Sequence, residues 1–246
     1  MYPKIDIEET FKELVRDYGG VVLEDKLPKS PDFKNADYVF HFEKIVAELK
    51  CLTVDNIYSV ENQTKVNDLL QKWFNEGNIQ TNKIDEHTWS RLPRELQTRI
   101  CEITTKSIRR RIQTANAQIR ETKRALHLDD YLGLAVLAND GISSLPPAAF
   151  IHAAYLALAH DFSEIKYFIY LTTNLFTQLR GVPMPVVFWI GFDMQKGPKM
   201  DGKFIDRLGA NWRRLVSRKT GIPGIEQELN DMEGFWHAKH VPLKPL

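Results

Sequence analysis

Two apolar runs close together carry three charged residues whose spacing could do chemistry. The first, "NADYVFHF", spans 35–42 and holds Asp37; the second, "IVAELK", spans 45–50 and ends in Glu48 and Lys50. Side chains two apart on a strand share a face, so Glu48 and Lys50 point one way and Ala47, Leu49 and Cys51 the other. With Glu43-Lys44 as a two-residue turn, Asp37 lies across from Lys50 and diagonal to Glu48, at roughly 7–8 Å between backbones. A slip of two residues keeps that parity, and a slip of one destroys it. Two carboxylates and an ammonium on one dry face are costly, because each charge loses its solvation. A divalent cation between Asp37 and Glu48, completed by the backbone carbonyl of Leu49, offsets that cost. These hard oxygens suit Mg²⁺, with Mn²⁺ as substitute, and not zinc. Such a cation takes a phosphate oxygen and lowers the pKa of a bound water. Lys50 would orient or deprotonate that water, or stabilise the crowded phosphate. The same residues also fit a plainer arrangement, an exposed sheet edge with an Asp37–Lys50 ion pair worth ~0.2–1 kcal/mol.

The elements that must position these residues are legible as strands alternating with helices. Apolar residues at helical spacing over 7–18 predict a helix that Gly19-Gly20 ends. A turn-rich link with two prolines leads to strands over 37–42 and 45–52. Helical patterns follow over 62–76 and 93–127, the second rich in charge. "GLAVLAND" then reads as a buried strand, "PPAAFIHAAYLALA" as a helix with proline in its first turn, and "IKYFIYLTTN" and "VVFWIGFD" as strands. A basic helix spans 204–219, and the tail from 221 reads as loop, with His237 and His240 binding nothing. The alternation indicates an α/β fold with a mixed central sheet flanked by helices. It forms a single domain, 1–246, with 62–127 as a helical insertion.

A helix, a turn-rich link, an Asp-bearing strand, a tight turn, a strand ending in Glu-x-Lys and a further helix together resemble the PD-(D/E)xK nuclease superfamily, the restriction-endonuclease-like fold. The resemblance covers roughly residues 5 to 76. It implies Asp37 and Glu48 as ligands of Mg²⁺, with Leu49 adding its carbonyl, and Lys50 as the residue assisting hydrolysis. The literal Pro-Asp pair is Pro31-Asp32, which makes Asp32 a second candidate. The family also implies an acidic residue from the first helix, Glu9 or Glu13 here, and a polar residue from the helix after Glu-x-Lys, Gln63 or Lys65. The activity implied is Mg²⁺-dependent hydrolysis of phosphodiester bonds, with DNA above RNA as substrate and a homodimer as a further assembly. A catalytically idle member of the fold that binds nucleic acid or protein is the alternative. Other acidic-x-Lys triplets, such as Glu164/Lys166, lack a hairpin partner.

Charge elsewhere is uneven, although the 246 residues sum to only +1. The 99–124 segment has a surplus of six positive charges, centred on Arg109, Arg110 and Arg111, and 196–219 has another six that include Arg213 and Arg214. Basic surfaces of this kind neutralise phosphates without reading sequence. They make nucleic acid the expected partner, although solvated helix faces would carry the same charges. "NDG" at 139–141 reads as a turn after a buried strand, and His41 as a packed side chain on the face of Asp37. No P-loop, dinucleotide fingerprint or Ser/His/Asp signature is present. Cys51 and Cys101 match no metal or redox spacing, and "MYPKIDIEETF" is too acidic for a signal peptide. The apolar 165–192 stretch is interrupted by polar residues and prolines, so no membrane span is expected. A cytoplasmic location is the default expectation.

Overall fold

The computed structural model describes residues 3–29, 31–182, 184–194, 199, 201–222 and 235–241. A six-stranded mixed sheet forms the centre, in the order β1 (Val21–Val22), β2 (Tyr38–Phe40), β3 (Ile45–Leu52), β4 (Leu132–Asn139), β5 (Ile165–Leu171) and β7 (Trp189–Asp193). The first three strands form an antiparallel meander; β3, β4 and β5 run parallel, and β7 returns antiparallel to β5. Every residue of β4 except Leu132 is buried, as is all of β5 except Lys166. That explains their near-continuous apolar sequence, since central parallel strands are covered on both faces. The α/β class and the mixed sheet expected from the sequence are therefore present.

One face of the sheet is covered by α1 (Ile7–Tyr18) and α7 (Gly202–Thr220), whose Phe11, Leu14, Phe204 and Trp212 pack on Tyr38, Ala47 and Leu49. Asp6 caps α1 by accepting from the Glu9 N–H at 3.1 Å, and Gly19 ends it at φ 90°. A left-handed φ there costs glycine little. The opposite face carries α5 (Lys106–Ala125) and α6 (Pro147–Asp161), with Ile108, Ile112 and Ile119 against Val46, Ala135 and Leu137. Each such isoleucine contributes about 1.5–3 kcal/mol on burial, so a helix with few apolar residues is still held firmly.

The helical stretch after β3 is not one unit. Helices α2 (Val60–Asn75), α3 (Glu86–Trp89) and α4 (Arg94–Thr104) gather around a small core of their own, Leu70, Leu92, Leu96 and Ile100. By contrast α5 belongs to the central layers, so the helical arm is confined to α2–α4 and does not extend over the whole of 62–127. The C-terminal stretch also departs from expectation. β8 (Lys239–Val241) pairs with β6 (Phe176–Gln178), and His240 meets Thr177 Oγ1 at 2.9 Å. Burial lowers the His240 pKa to about 4. Gly141 brings the loop after β4 against the end of β3; an added Cβ would lie 2.2 Å from the Thr53 carbonyl oxygen. No helix among the described residues is long and apolar enough to cross a membrane.

Candidate active site

The hairpin turn is His41–Lys44, longer than the expected two residues, with Lys44 in the left-handed region at φ 54°. Tyr38 pairs with Ala47 and Phe40 with Ile45, a register two residues away from that of a Glu43-Lys44 turn. An even slip preserves which side chains share a face. Continued one residue past Tyr38, this register sets Asp37 opposite Glu48, in place of Lys50.

Asp37 marks the point where β2 stops pairing with β3. Its Oδ2 accepts the Leu49 N–H at 2.9 Å, taking over from the backbone carbonyl that a longer β2 would have supplied. Its own carbonyl accepts the Leu23 N–H at 2.8 Å. The preceding loop is pinned by one flank of α5. Gln118 Nε2 donates to the Asn35 carbonyl at 2.8 Å, Glu121 Oε2 accepts the Lys34 N–H at 3.0 Å, and Thr122 Oγ1 accepts the Ala36 N–H at 2.6 Å. Residues three and four apart line one side of a helix, so these three act together to aim Asp37 at β3.

Glu48 is 1% exposed. Its Oε1 accepts from Lys50 Nζ, and its Oε2 has no hydrogen-bond donor among the described residues. Burial and then the charge of Asp37 push its pKa up to about 8, with Lys50 opposing. The Asp37 carboxyl is also raised, by burial first, against the Leu49 N–H and the Lys50 charge. After burial, the charge of Asp37 is the largest influence raising Glu48, so the two carboxyl groups act directly on one another. Between two carboxylates nothing can bridge; either one of them holds a proton or a cation lies between. Lys50, with a side chain 14% exposed, also donates to Gln118 Oε1 at 2.8 Å. The Asp37–Lys50 pair of an exposed edge is thus replaced by a buried Glu48–Lys50 pair. Leu49 directs its N–H toward Asp37, and in an extended strand the carbonyl of the same residue faces the same edge.

These oxygens fit a hard dication: an orphaned carboxylate oxygen, a second carboxylate beside it, and a backbone carbonyl on the same edge. Among the described residues no group of three or more His, Cys, Asp or Glu side chains is placed to hold a metal. A cation held here would have this pair as its carboxylate donors among the described residues.

The other expected participants lie elsewhere. Glu13 pairs with Lys219 at 2.6 Å and Glu9 with Lys12 at 2.8 Å, both on the outer side of α1. Glu8 is the acidic residue of that helix whose field reaches Asp37, and it acts on the Cys51 thiol as well, raising both. At roughly 100° per residue, position 8 lies at the margin of the buried stripe of Ile7, Phe11, Leu14 and Val15, whereas 9 and 13 point away. Asp32 is exposed in the loop ahead of β2. Gln63 donates to the Tyr58 carbonyl at 2.8 Å on exposed α2, and Lys65 pairs with Glu61. The polar side chain that reaches the site comes from α5: Gln118, 68 residues beyond Lys50 in sequence. His41 is exposed in the turn and meets the Tyr131 hydroxyl at 2.9 Å.

The basic residues divide by helix face. Arg111 lies seven residues from Gln118 and so on the same flank of α5, while Arg109 and Arg110 line a separate cleft toward α2. Arg213 and Arg214 sit on α7, across the sheet from α5. Part of the 196–219 segment, 196–198 and 200, lies outside the described residues. Comparisons with protein-family models, curated proteins and solved structures match nothing.

Proposed function

We propose that this chain is a divalent-cation-dependent phosphodiesterase of restriction-endonuclease-like fold, similar to the PD-(D/E)xK nucleases, and that it acts on nucleic acid, with DNA as the first substrate to test. The observation that carries this reading is Glu48, a buried carboxylate beside Asp37 with one oxygen on Lys50 and the other without a donor among the described residues. Asp37, Glu48 and the Leu49 carbonyl would hold Mg²⁺ or Mn²⁺. When bound, the cation supplies a water of lowered pKa and neutralises charge developing on phosphorus.

The chain's own residues supply the rest. Glu48 must give up its proton to serve as a ligand, so cation affinity rises as pH climbs through 8. Lys50 presents an ammonium at the margin of the pair, where it orients the attacking water or counters charge on the phosphate. Gln118 fixes that ammonium from α5. Plasmid cleavage in Mg²⁺ should vanish in Glu48→Ala while DNA retention in EDTA persists. Unchanged cleavage in Glu48→Ala would overturn the assignment. A cleavage-free, nucleic-acid-binding protein is the second reading, favoured by the lack of a third acidic side chain grouped with the pair among the described residues. Wild-type binding without cleavage in Mg²⁺ or Mn²⁺ would select it.

A further inference from the structure

A cleft of about 650 Å³ opens where the helical arm meets the central layers, bounded by α2, α4, α5 and the end of α6. Lys65, Lys106, Arg109 and Arg110 line it, against the single lining carboxylate of Glu102. Glu61 borders it as well, paired with Lys65 and acting on Lys106 and Arg110. Even with Arg109 set aside, Lys65, Lys106 and Arg110 outnumber these two acidic groups among the described residues. Its wall also carries the ring of Phe162 and the amide of Gln113. Cations together with an aromatic platform and an amide are the elements by which a protein holds a single strand: charge tracks the phosphates and the ring stacks on a base.

The cleft is separate from the carboxylate pair. It lies on the flank of α5 away from Gln118, toward the start of that helix. We infer that the cleft between the helical arm and α5 binds single-stranded nucleic acid and holds an unpaired strand while the phosphodiester is attacked elsewhere. The second half of that statement rests on the proposed function; the binding itself does not.

The test is fluorescence anisotropy of a labelled oligothymidylate in EDTA, over a salt series, so that cleavage plays no part. Wild-type protein should bind, and Lys106→Gln/Arg110→Gln should lower the slope of log K against log salt by about 1.4, since each single-strand phosphate contact contributes roughly 0.7. If the two proteins converge at about 1 M salt, the variant binds about 25-fold more weakly near 0.1 M. Phe162→Leu, which keeps an apolar side chain but removes the ring, should weaken binding without changing the slope. Arg16→Gln, which removes a cation paired with Asp25 on α1 across the sheet, should leave binding unaltered. The inference is overturned by absent wild-type binding, by an unchanged slope in a folded Lys106→Gln/Arg110→Gln protein, or by tighter binding of a blunt duplex of equal length. Glu48→Ala should bind like wild type, so loss of cleavage and loss of strand binding are read from different variants.

Discussion

Replacing Glu48 with Gln should stabilise the cation-free protein, and by an amount that depends on pH. An ordinary glutamate titrates near 4.5, and burial raises Glu48 to about 8 in the fold. Between those values the folded state holds a proton that the unfolded chain has released, so folding stability is full below pH 4.5 and falls as pH rises toward 8. At pH 7 the gap is about 2.5 units, which at 1.36 kcal/mol per unit gives a ceiling of about 3 kcal/mol. Asp37, raised in the same direction, adds to the slope without changing its sign. Glutamine fills the same volume, retains an acceptor for Lys50 and places an amide donor beside Asp37. For a chain of this length, 3 kcal/mol corresponds to a Tm rise of about 6–12 °C. The assay is circular-dichroism melting in EDTA from pH 5 to 9. The wild-type Tm should fall across that range more steeply than that of Glu48→Gln, and the two should draw together near pH 5. A flat wild-type profile, or a Glu48→Gln protein that melts lower at pH 8, would refute the picture of an uncompensated buried carboxyl. Adding Mg²⁺ should reverse the order by raising the wild-type Tm alone.

Three further outcomes follow from the same contacts. Thr122→Val removes the acceptor of the Ala36 N–H and should cost about 1–3 kcal/mol by urea unfolding, with cleavage falling further than stability because Asp37 loses its aim. Gly141→Ala places a Cβ against the Thr53 carbonyl and should cost about 1–3 kcal/mol in the same assay. Gln118→Ala leaves Lys50 on Glu48 alone and frees the Asn35 carbonyl that helps to aim Asp37, so its cleavage rate and its cation affinity, read by calorimetry with Mn²⁺, should both drop.

How much of this was legible depends on the range of each interaction. The bounds of β3 were readable because an unbroken apolar run between turn signals leaves little choice, and face parity survived because the register error was even. The register itself was hidden by Lys44, a lysine in the left-handed position where glycine or asparagine usually signals such a turn. Lys44 is held there by Asp130 at 2.6 Å and by the Leu132 N–H on its carbonyl, contacts from a distant segment. Gln118 was invisible for a related reason: only the packing of α5 on β3 carries it to Lys50. Glu8 was within reach, because its angular position beside the apolar stripe of α1 separates it from Glu9 and Glu13. The pairing of the tail with β6 left no periodic signal in so short a strand.

The measurement that reaches furthest is an anomalous-difference map from a crystal soaked in Mn²⁺. A peak is expected within ligand distance, about 2–2.3 Å, of Glu48 Oε2, of Asp37 and of the Leu49 carbonyl, lost in Glu48→Gln. Well-diffracting soaked crystals with no peak there, or with Mn²⁺ bound only at other carboxylates, would contradict it.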